Sequence, residues 1–417
     1  MAVSGAGVLV VGTGQAGFQL AASLREGGYE GRVLLVGEEP ELPYQRPPLS
    51  KAYLMGKADA AQLRFRTAAF YAENRLEIRA GARVLRIERA ARRVLLASGE
   101  ALPYEHLVLA TGARNRALPV PGAALDGVLS LRTLAEAEAL RRRLETARRA
   151  VVVGAGFIGL EFAAVAAARG LEVTVVEALD RPMARSVSPL VAAHLRAAHE
   201  RAGVRFAFGA ALARITGEAG RATGVETADG RRMPADLVLV GIGVVPNAEL
   251  AAEAGLAVSD GVVVDGLLRT EDPAISAIGD CARFPCRHAE GAPLRLEAVQ
   301  NAADQARCVA ARLLGRPAPY ASLPWFWSDQ GPLRLQIAGL SVPHERAVLR
   351  GDPAAGQGFS VFCFRGGRLV GVESVNRPLD HVLARKVLER GGGVTPEQAA
   401  DPAFDLRALA AGSGGAR

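Results

Sequence analysis

One pattern occurs twice in this chain and limits sharply what it can fold into. Residues 8–11 are Val-Leu-Val-Val, followed by Gly12-Thr13-Gly14-Gln15-Ala16-Gly17 and an Ala/Leu-rich stretch to Glu26. Residues 150–153 are Ala-Val-Val-Val, followed by Gly154-Ala155-Gly156-Phe157-Ile158-Gly159 and an Ala-rich stretch to Arg169. Each reads as a buried strand, a tight glycine turn and a helix. Each is followed by a second apolar strand, at 32–36 and at 172–176. That is the βαβ unit of a doubly wound parallel sheet, present in two copies. The copies stand too far apart for a short-period solenoid.

The glycines carry chemistry as well as shape. The first of each set makes the tight turn, the second lets backbone approach a pyrophosphate, and the third lets helix pack on strand. The helix N-terminus then offers N–H groups and partial positive charge to phosphates. An acid closes the second strand of each unit, Glu38 in the first and Glu177 in the second. A carboxylate there accepts hydrogen bonds from ribose hydroxyls and repels a 2′-phosphate, so Glu177 favours NADH over NADPH.

Between the units, 83–88 and 93–97 read as a hairpin, and 107–112 as a strand ending in Gly112. A matching segment, 236–243, ends in Gly243, and 274–280 is a short strand that ends in Asp280. From about Leu323 the composition changes; both tryptophans, Trp325 and Trp327, stand there, and a helix follows near 379–389. At roughly 100–200 residues per domain, 417 residues accommodate two to four domains. The expected fold is α/β: two Rossmann-like dinucleotide-binding domains plus a small C-terminal α/β domain. The boundaries are 1–115 with 244–323, then 116–243, then 324–417. Residues 412–417 read as a frayed tail.

The formal net charge is +7, carried almost wholly by arginine, the only lysines being Lys51, Lys57 and Lys386. No run of five like charges occurs, and Arg141-Arg142-Arg143 reads as a solvated helix face, so no nucleic-acid partner is expected. No apolar run nears the roughly 20 residues of a membrane span. The first residues lack a basic n-region, and a cytoplasmic protein is expected. The cysteines, Cys281, Cys286, Cys308 and Cys363, fit no common zinc or dithiol spacing, so no metal is expected.

Further stretches carry a specific resemblance. They are 43–51 (Pro-Tyr-Gln-Arg-Pro-Pro-Leu-Ser-Lys), 110–112 (Ala-Thr-Gly), 131–134 (Leu-Arg-Thr-Leu), 241–247 (Gly-Ile-Gly-Val-Val-Pro-Asn), 277–282 (Ala-Ile-Gly-Asp-Cys-Ala), 297–301 (Glu-Ala-Val-Gln-Asn) and 324–330 (Pro-Trp-Phe-Trp-Ser-Asp-Gln). Nearly end to end, the chain resembles the FAD-dependent NADH:ferredoxin reductases of bacterial oxygenase and cytochrome P450 chains, the putidaredoxin-reductase type of the glutathione-reductase fold. The resemblance implies FAD contacts from Gly12, Gly14, Ala16, Gly17, Glu38, Arg46, Lys51, Val84, Ala110, Thr111, Gly112, Arg132, Asp280, Val299 and Trp327. It implies nicotinamide-nucleotide contacts from Gly154, Gly156, Phe157, Ile158, Gly159, Glu161, Glu177 and Gly243. Asp280 could instead be a helix N-cap.

Lys51 and Glu161 form the expected catalytic pair. In related two-nucleotide reductases such a pair sits beside flavin N5, where a cation stabilises the anionic reduced flavin. The alternative is a surface lysine and a glutamate on a helix dipole. No cysteine precedes Cys281, so the thiol relay of glutathione-reductase-type enzymes is missing, and electrons must leave the flavin singly. The implied partner is an acidic [2Fe-2S] ferredoxin, met by a monomer or weak dimer. Trp327 is expected near the exit surface, or else as an interface aromatic. Arg64, Arg307 and Lys386 are the expected docking cations. After Gln330 the chain runs Gly331-Pro332-Leu333, where relatives tend to carry Tyr and an acidic or polar residue. Two rival readings remain: a rubredoxin reductase, and a redox-sensing flavoprotein like the apoptosis-inducing factors.

Overall fold

The computed structural model describes residues 6–391 and 393–411. The expected frayed tail at 412–417 lies outside the described residues. The chain divides into two compact units. The first gathers Met1–Gln45, Ala60–Arg114 and Val244–Pro324; the second gathers Arg46–Asp59, Asn115–Gly243 and Trp325–Arg417.

In the first unit, five strands form a parallel sheet in the order Ile275–Ala277, His106–Leu109, Val8–Val11, Val33–Val36, Leu76–Arg79. Val8, Leu9, Val10 and Val11 are all buried, as in a sheet covered on both faces. The helix Gln15–Glu26 supplies one cover and buries Phe18, Leu20, Ala21 and Leu24. Each of its large apolar side chains contributes about 1.5–3 kcal/mol by leaving water. The helix stops at Gly27-Gly28, where Gly28 takes a positive φ of 87° and Tyr29 N–H reaches back to Leu24 O at 2.9 Å. The helix Val299–Leu313 packs alongside that helix. An antiparallel meander, Val84–Glu88, Arg93–Leu96 and Ala101–Pro103, is inserted between strands of the parallel sheet.

The second unit repeats the plan. Its parallel sheet runs Arg205–Ala207, Glu172–Val176, Arg149–Val153, Leu237–Val240, Val128–Leu129. It too carries a three-stranded meander, Leu212–Glu218, Arg221–Thr227 and Arg232–Pro234, which the sequence patterns above did not single out. In both sheets the strand order reverses at the glycine-bearing strand, the switch point at which open α/β sheets bind ligands.

The same unit contains a five-stranded antiparallel sheet in the order Trp325–Gln330, Leu333–Gly339, Arg368–Val375, Phe359–Arg365, Arg346–Gly351. The helix Pro378–Glu389 packs on it. Two buried polar ties join this sheet to the helix Pro189–Arg201 of the nucleotide fold. Glu373 accepts the backbone N–H of Ser188, the N-cap of that helix, at 2.9 Å, and the Ser188 hydroxyl at 2.6 Å. Near the other end, His199 meets Gln330 at 3.0 Å. Burial pushes the Glu373 carboxyl upward, and Ser188 counters by donating to it. Among the described residues no helix is long and apolar enough to cross a membrane, and no acid, His and Cys cluster could hold a metal.

Candidate functional site

The two glycine turns are built alike. Gly12 has φ +121°, and a Cβ there would lie 2.1 Å from Ala110 O. A Cβ on Gly17 would lie 2.0 Å from Gly12 O, so only glycine lets this helix close on its strand. In the second turn Gly154 has φ +102° with Gly241 O at 2.4 Å from its imagined Cβ, and Gly159 would strike Gly154 O at 2.2 Å. The middle glycines differ. A Cβ on Gly14 or Gly156 would meet nothing within 4 Å. Both are helix N-caps without a side-chain cap, so the first-turn N–H groups face open space. Two open, glycine-floored helix N-termini fit two pyrophosphates.

Around the first turn, Ala16 is buried, and its Cβ would lie 3.1 Å from a Cβ on Gly279. Gly279–Cys281 is a single 3₁₀ turn whose N-cap is Ile278, so Asp280 does not serve as the N-cap considered above. Gly279 N–H is held by Gln305 Oε1 at 2.7 Å, and Arg295 Nη1 donates to Asp280 O at 3.2 Å. Val299 opens another helix whose N-cap, Ala298, makes no side-chain cap. Ala110 is buried, and Thr111 and Gly112 are stitched to Asn247: Thr111 Oγ1 donates to Asn247 O at 2.6 Å, and Asn247 N–H to Gly112 O at 2.9 Å. Glu38 is exposed, with Arg83 at 3.7 Å, and Val84, next to Arg83 in sequence, lies half-buried.

Around the second turn, Glu177 accepts Ala155 N–H at 2.7 Å and Leu179 N–H at 2.9 Å, one on each oxygen. These bonds fix the carboxylate and leave each oxygen a further lone pair. Ile158 is exposed, Phe157 packs on Phe326 with centroids 4.4 Å apart, and Gly243 takes φ +95° with open space at its imagined Cβ.

The second unit also brings Lys51 and Glu161 together, 110 positions apart in sequence, with Nζ 2.7 Å from Oε2. Pro47 and Pro48 open the short turn Pro47–Ser50 that presents Lys51, and Pro47 O accepts from Nζ at 3.2 Å. Glu161 lies on the helix Phe157–Ala168 among buried Leu160, Phe162 and Ala163, with only 3% of its side chain exposed. Lys51 keeps 21% exposed. This is not a surface pair: a carboxylate taken so far from water needs its donors close and aligned. It has three, Lys51, the Ser50 hydroxyl and the Ser328 hydroxyl at 2.7 Å.

Arg46 Nη1 donates to Arg132 O at 2.7 Å, and Arg132 N–H donates to Glu136 Oε2 at 2.7 Å, beside the Thr133–Glu136 capping box that opens the helix Leu134–Leu144. Trp327 is half-buried, 5.6 Å from Trp325, over which Arg385 lies at 4.8 Å. Of the docking cations, Arg64 and Lys386 are exposed. Arg307 is paired with Asp304 at 2.7 Å, so much of its charge is answered within its own helix. All four cysteines are free, and burial pushes the Cys281 thiol upward, away from thiolate chemistry.

Sequence reasoning passed over Ser50, Ser328, Gln330 and His199. Ser328 and Gln330 are the buried polar positions of the strand Trp325–Gln330, two apart on one face, but the Trp-Phe-Trp before them gives no clean alternation to mark that face.

Residues 6–306 match the pyridine nucleotide-disulphide oxidoreductase family, and residues 325–410 match a reductase C-terminal family. The chain is 53% identical over 400 residues to rhodocoxin reductase of Rhodococcus erythropolis, covering 96% of this chain and 93% of that one. It superposes on the ferredoxin reductase for the CYP199A2 system of Rhodopseudomonas palustris with a TM-score of 0.95 and 53% identity, covering 97% of this chain and all of the other. It also superposes on the covalent putidaredoxin reductase–putidaredoxin complex with a TM-score of 0.94 and 40% identity, covering 98% and 99%.

Proposed function

The chain belongs to the pyridine nucleotide-disulphide oxidoreductase family, and from that premise we propose that it carries electrons from NADH, through bound FAD, to an acidic [2Fe-2S] ferredoxin that feeds a cytochrome P450 or other oxygenase. The overall reaction converts one NADH and two oxidised ferredoxins to NAD⁺, two reduced ferredoxins and a proton. Bound FAD supplies the exchange between two-electron and one-electron chemistry.

The observation that carries this reading is the buried Lys51–Glu161 pair at 2.7 Å, in a chain with no cysteine before Cys281. The family name includes a disulphide, yet the segment Pro47–Ser50 beside Lys51 holds prolines, leucine and serine. Lys51 supplies fixed positive charge, Glu161 holds it there, and no thiol stands beside them in this segment. The first glycine turn, with Ala16, Glu38, Ala110, Gly112, Asp280 and Val299, is assigned to FAD. Arg46, Val84, Thr111, Arg132 and Trp327 are assigned to the same cofactor. The second turn, with Phe157, Ile158, Glu177 and Gly243, is assigned to the nicotinamide nucleotide, and Glu177 selects NADH by repelling a 2′-phosphate. Arg64 and Lys386 steer the acidic partner, with Arg307 secondary. A monomer or weak dimer in the cytoplasm completes the proposal.

The test is reconstitution. NADH-reduced holoprotein is mixed with an acidic [2Fe-2S] ferredoxin, with a rubredoxin, or with a small-molecule acceptor. Fast reduction of the ferredoxin and not of the rubredoxin is expected, with the small-molecule acceptor reporting that the flavin itself is competent. Preference for rubredoxin overturns the acceptor assignment. Slow turnover with NADH-induced dimerisation replaces the enzyme reading with a sensing one.

A further inference from the structure

We infer that Ser328, Gln330 and His199 form a directed hydrogen-bond chain that positions Glu161, and through it Lys51, for the flavin chemistry; the inference rests on the function proposed above. His199 Nε2 meets Gln330 Oε1 at 3.0 Å, Gln330 Nε2 meets Ser328 Oγ at 3.2 Å, and Ser328 Oγ meets Glu161 Oε1 at 2.7 Å. Every member is buried: Ser328 and Gln330 are 0% and 2% exposed, His199 is 4%.

The direction of the donors follows from the ends. Glu161 is an acceptor only, so the Ser328 proton points at Oε1. Ser328 Oγ must then accept, which puts the Gln330 amide nitrogen against it. That nitrogen's other neighbour is Met183 Sδ at 3.6 Å, a weak acceptor and no donor. Turning the Gln330 amide over would set its oxygen against the sulphur and draw the serine proton away from the carboxylate. With the amide so placed, Oε1 accepts from His199, which therefore carries its proton on Nε2. Burial holds the His199 imidazole below its ordinary pKa, consistent with a neutral ring. Each donor points toward Glu161, and aligned donors polarise one another.

The geometry also divides the carboxylate. Oε2 takes Lys51 and Ser50, and Oε1 takes Ser328. Without Ser328, a buried carboxylate oxygen loses a donor, and the group turns to share Lys51 and Ser50 between both oxygens. The Lys51 ammonium then moves with it. Ser328 and Gln330 belong to the C-terminal antiparallel sheet, and Glu161 and His199 to the nucleotide fold, so the chain gives the sheet a part in placing the charge.

The experiment compares Ser328→Ala, Gln330→Met, Ser328→Thr, Lys51→Met and the double variant Ser328→Ala/Lys51→Met as holoproteins of equal flavin content. Stopped-flow mixing with NADH gives the rate of flavin reduction and the apparent NADH affinity. A dye-equilibrated titration gives the two-electron midpoint potential, a reading independent of turnover. Ser328→Ala is expected to slow flavin reduction about tenfold, in line with loss of one hydrogen bond to a charged group, with NADH affinity unchanged. Its midpoint potential is expected to fall by about 30 mV, the two-electron equivalent of tenfold. Gln330→Met shifts both in the same direction by less, and Ser328→Thr, which keeps the hydroxyl, restores both. In the Lys51→Met background Ser328→Ala adds nothing, because its route to the flavin is gone. A wild-type potential and rate in Ser328→Ala, or an equal shift with and without Lys51, overturns the positioning role alone. A wild-type potential in Lys51→Met overturns the reading of the pair and this inference with it. If Ser328→Ala fails to retain flavin, Gln330→Met carries the same comparison.

Discussion

The middle glycine of each turn separates binding from folding, and Gly156→Ala is the substitution that uses this. Gly156 has φ −80° and ψ −174°, a conformation alanine adopts freely, and its new Cβ would meet nothing within 4 Å. The fold therefore loses only the modest difference between glycine and alanine at an N-cap, about 0.5–1 kcal/mol. For a domain of this size that lowers Tm by about 1–4 °C. The methyl, however, occupies the space over the helix N-terminus through which a pyrophosphate reaches the first-turn N–H groups. Losing one charge-assisted bond there costs about 1.5–3 kcal/mol, so the KM for NADH should rise about ten- to a hundredfold. Gly159→Ala is the contrast. Its Cβ would lie 2.2 Å from Gly154 O and 3.2 Å from Val152 Cγ1, so helix and strand must part, and stability should fall by about 1–3 kcal/mol or more. The assay is initial-rate kinetics with NADH as the varied substrate, alongside thermal melting and flavin content. Gly156→Ala should retain flavin and lose NADH affinity; Gly14→Ala, the same change in the other turn, should lose flavin. The opposite pairing would show that the two nucleotides had been assigned to the wrong turns. An unchanged KM in Gly156→Ala would refute the cradle argument itself.

Three further outcomes are expected. Raising ionic strength from about 0.05 to 0.3 M should raise the KM for an acidic ferredoxin severalfold while reduction of a neutral quinone hardly changes; equal responses would remove electrostatic docking. Within that surface, Lys386→Ala should weaken ferredoxin binding more than Arg307→Ala, because Arg307 already answers Asp304 at 2.7 Å; the reverse order in binding titrations would contradict the pairing. The protein should also weaken in mild acid. Burial, aided by Arg312 beside one ring and Arg385 beside the other, lowers His106 and His381 from 6.5 to about 4. A lowered folded pKa means stability that is full above pH 6.5 and is lost as pH falls from 6.5 toward 4, about 2 kcal/mol per imidazole by pH 5. Urea unfolding midpoints at pH 7 and pH 5 should differ accordingly, and His381→Phe should narrow the gap; equal midpoints would deny the burial penalty.

What the sequence made legible, and what it hid, follows from where each constraint is written. The turn glycines were legible because their constraint is steric and each copy carries its full context: Gly12 and Gly154 need positive φ, and Gly17 and Gly159 need no Cβ, between an apolar strand and an apolar helix. Glu161 was legible only by resemblance. On its own helix it is one carboxylate among alanines, and nothing local says that Lys51, 110 positions earlier, arrives 2.7 Å away. Ser328, Gln330 and His199 were hidden more deeply. A strand reading W-F-W-S-D-Q has mixed faces, so no clean alternation marks its inner side, and the buried polar positions become visible only when the helix Pro189–Arg201 is set against it. The change of composition near Leu323 had a similar limit. It marks a change along the chain, whereas the bonds from Ser188 to Glu373 and from His199 to Gln330 decide what that stretch packs with. Backbone constraints repeat wherever the same motif is used and can be read in one copy. Buried polar partners are chosen by the tertiary fold, because each must find its complement at about 3 Å wherever the chain supplies one. Turn glycines should therefore be easier to read from sequences of this kind than the buried polar partners that hold a residue such as Glu161.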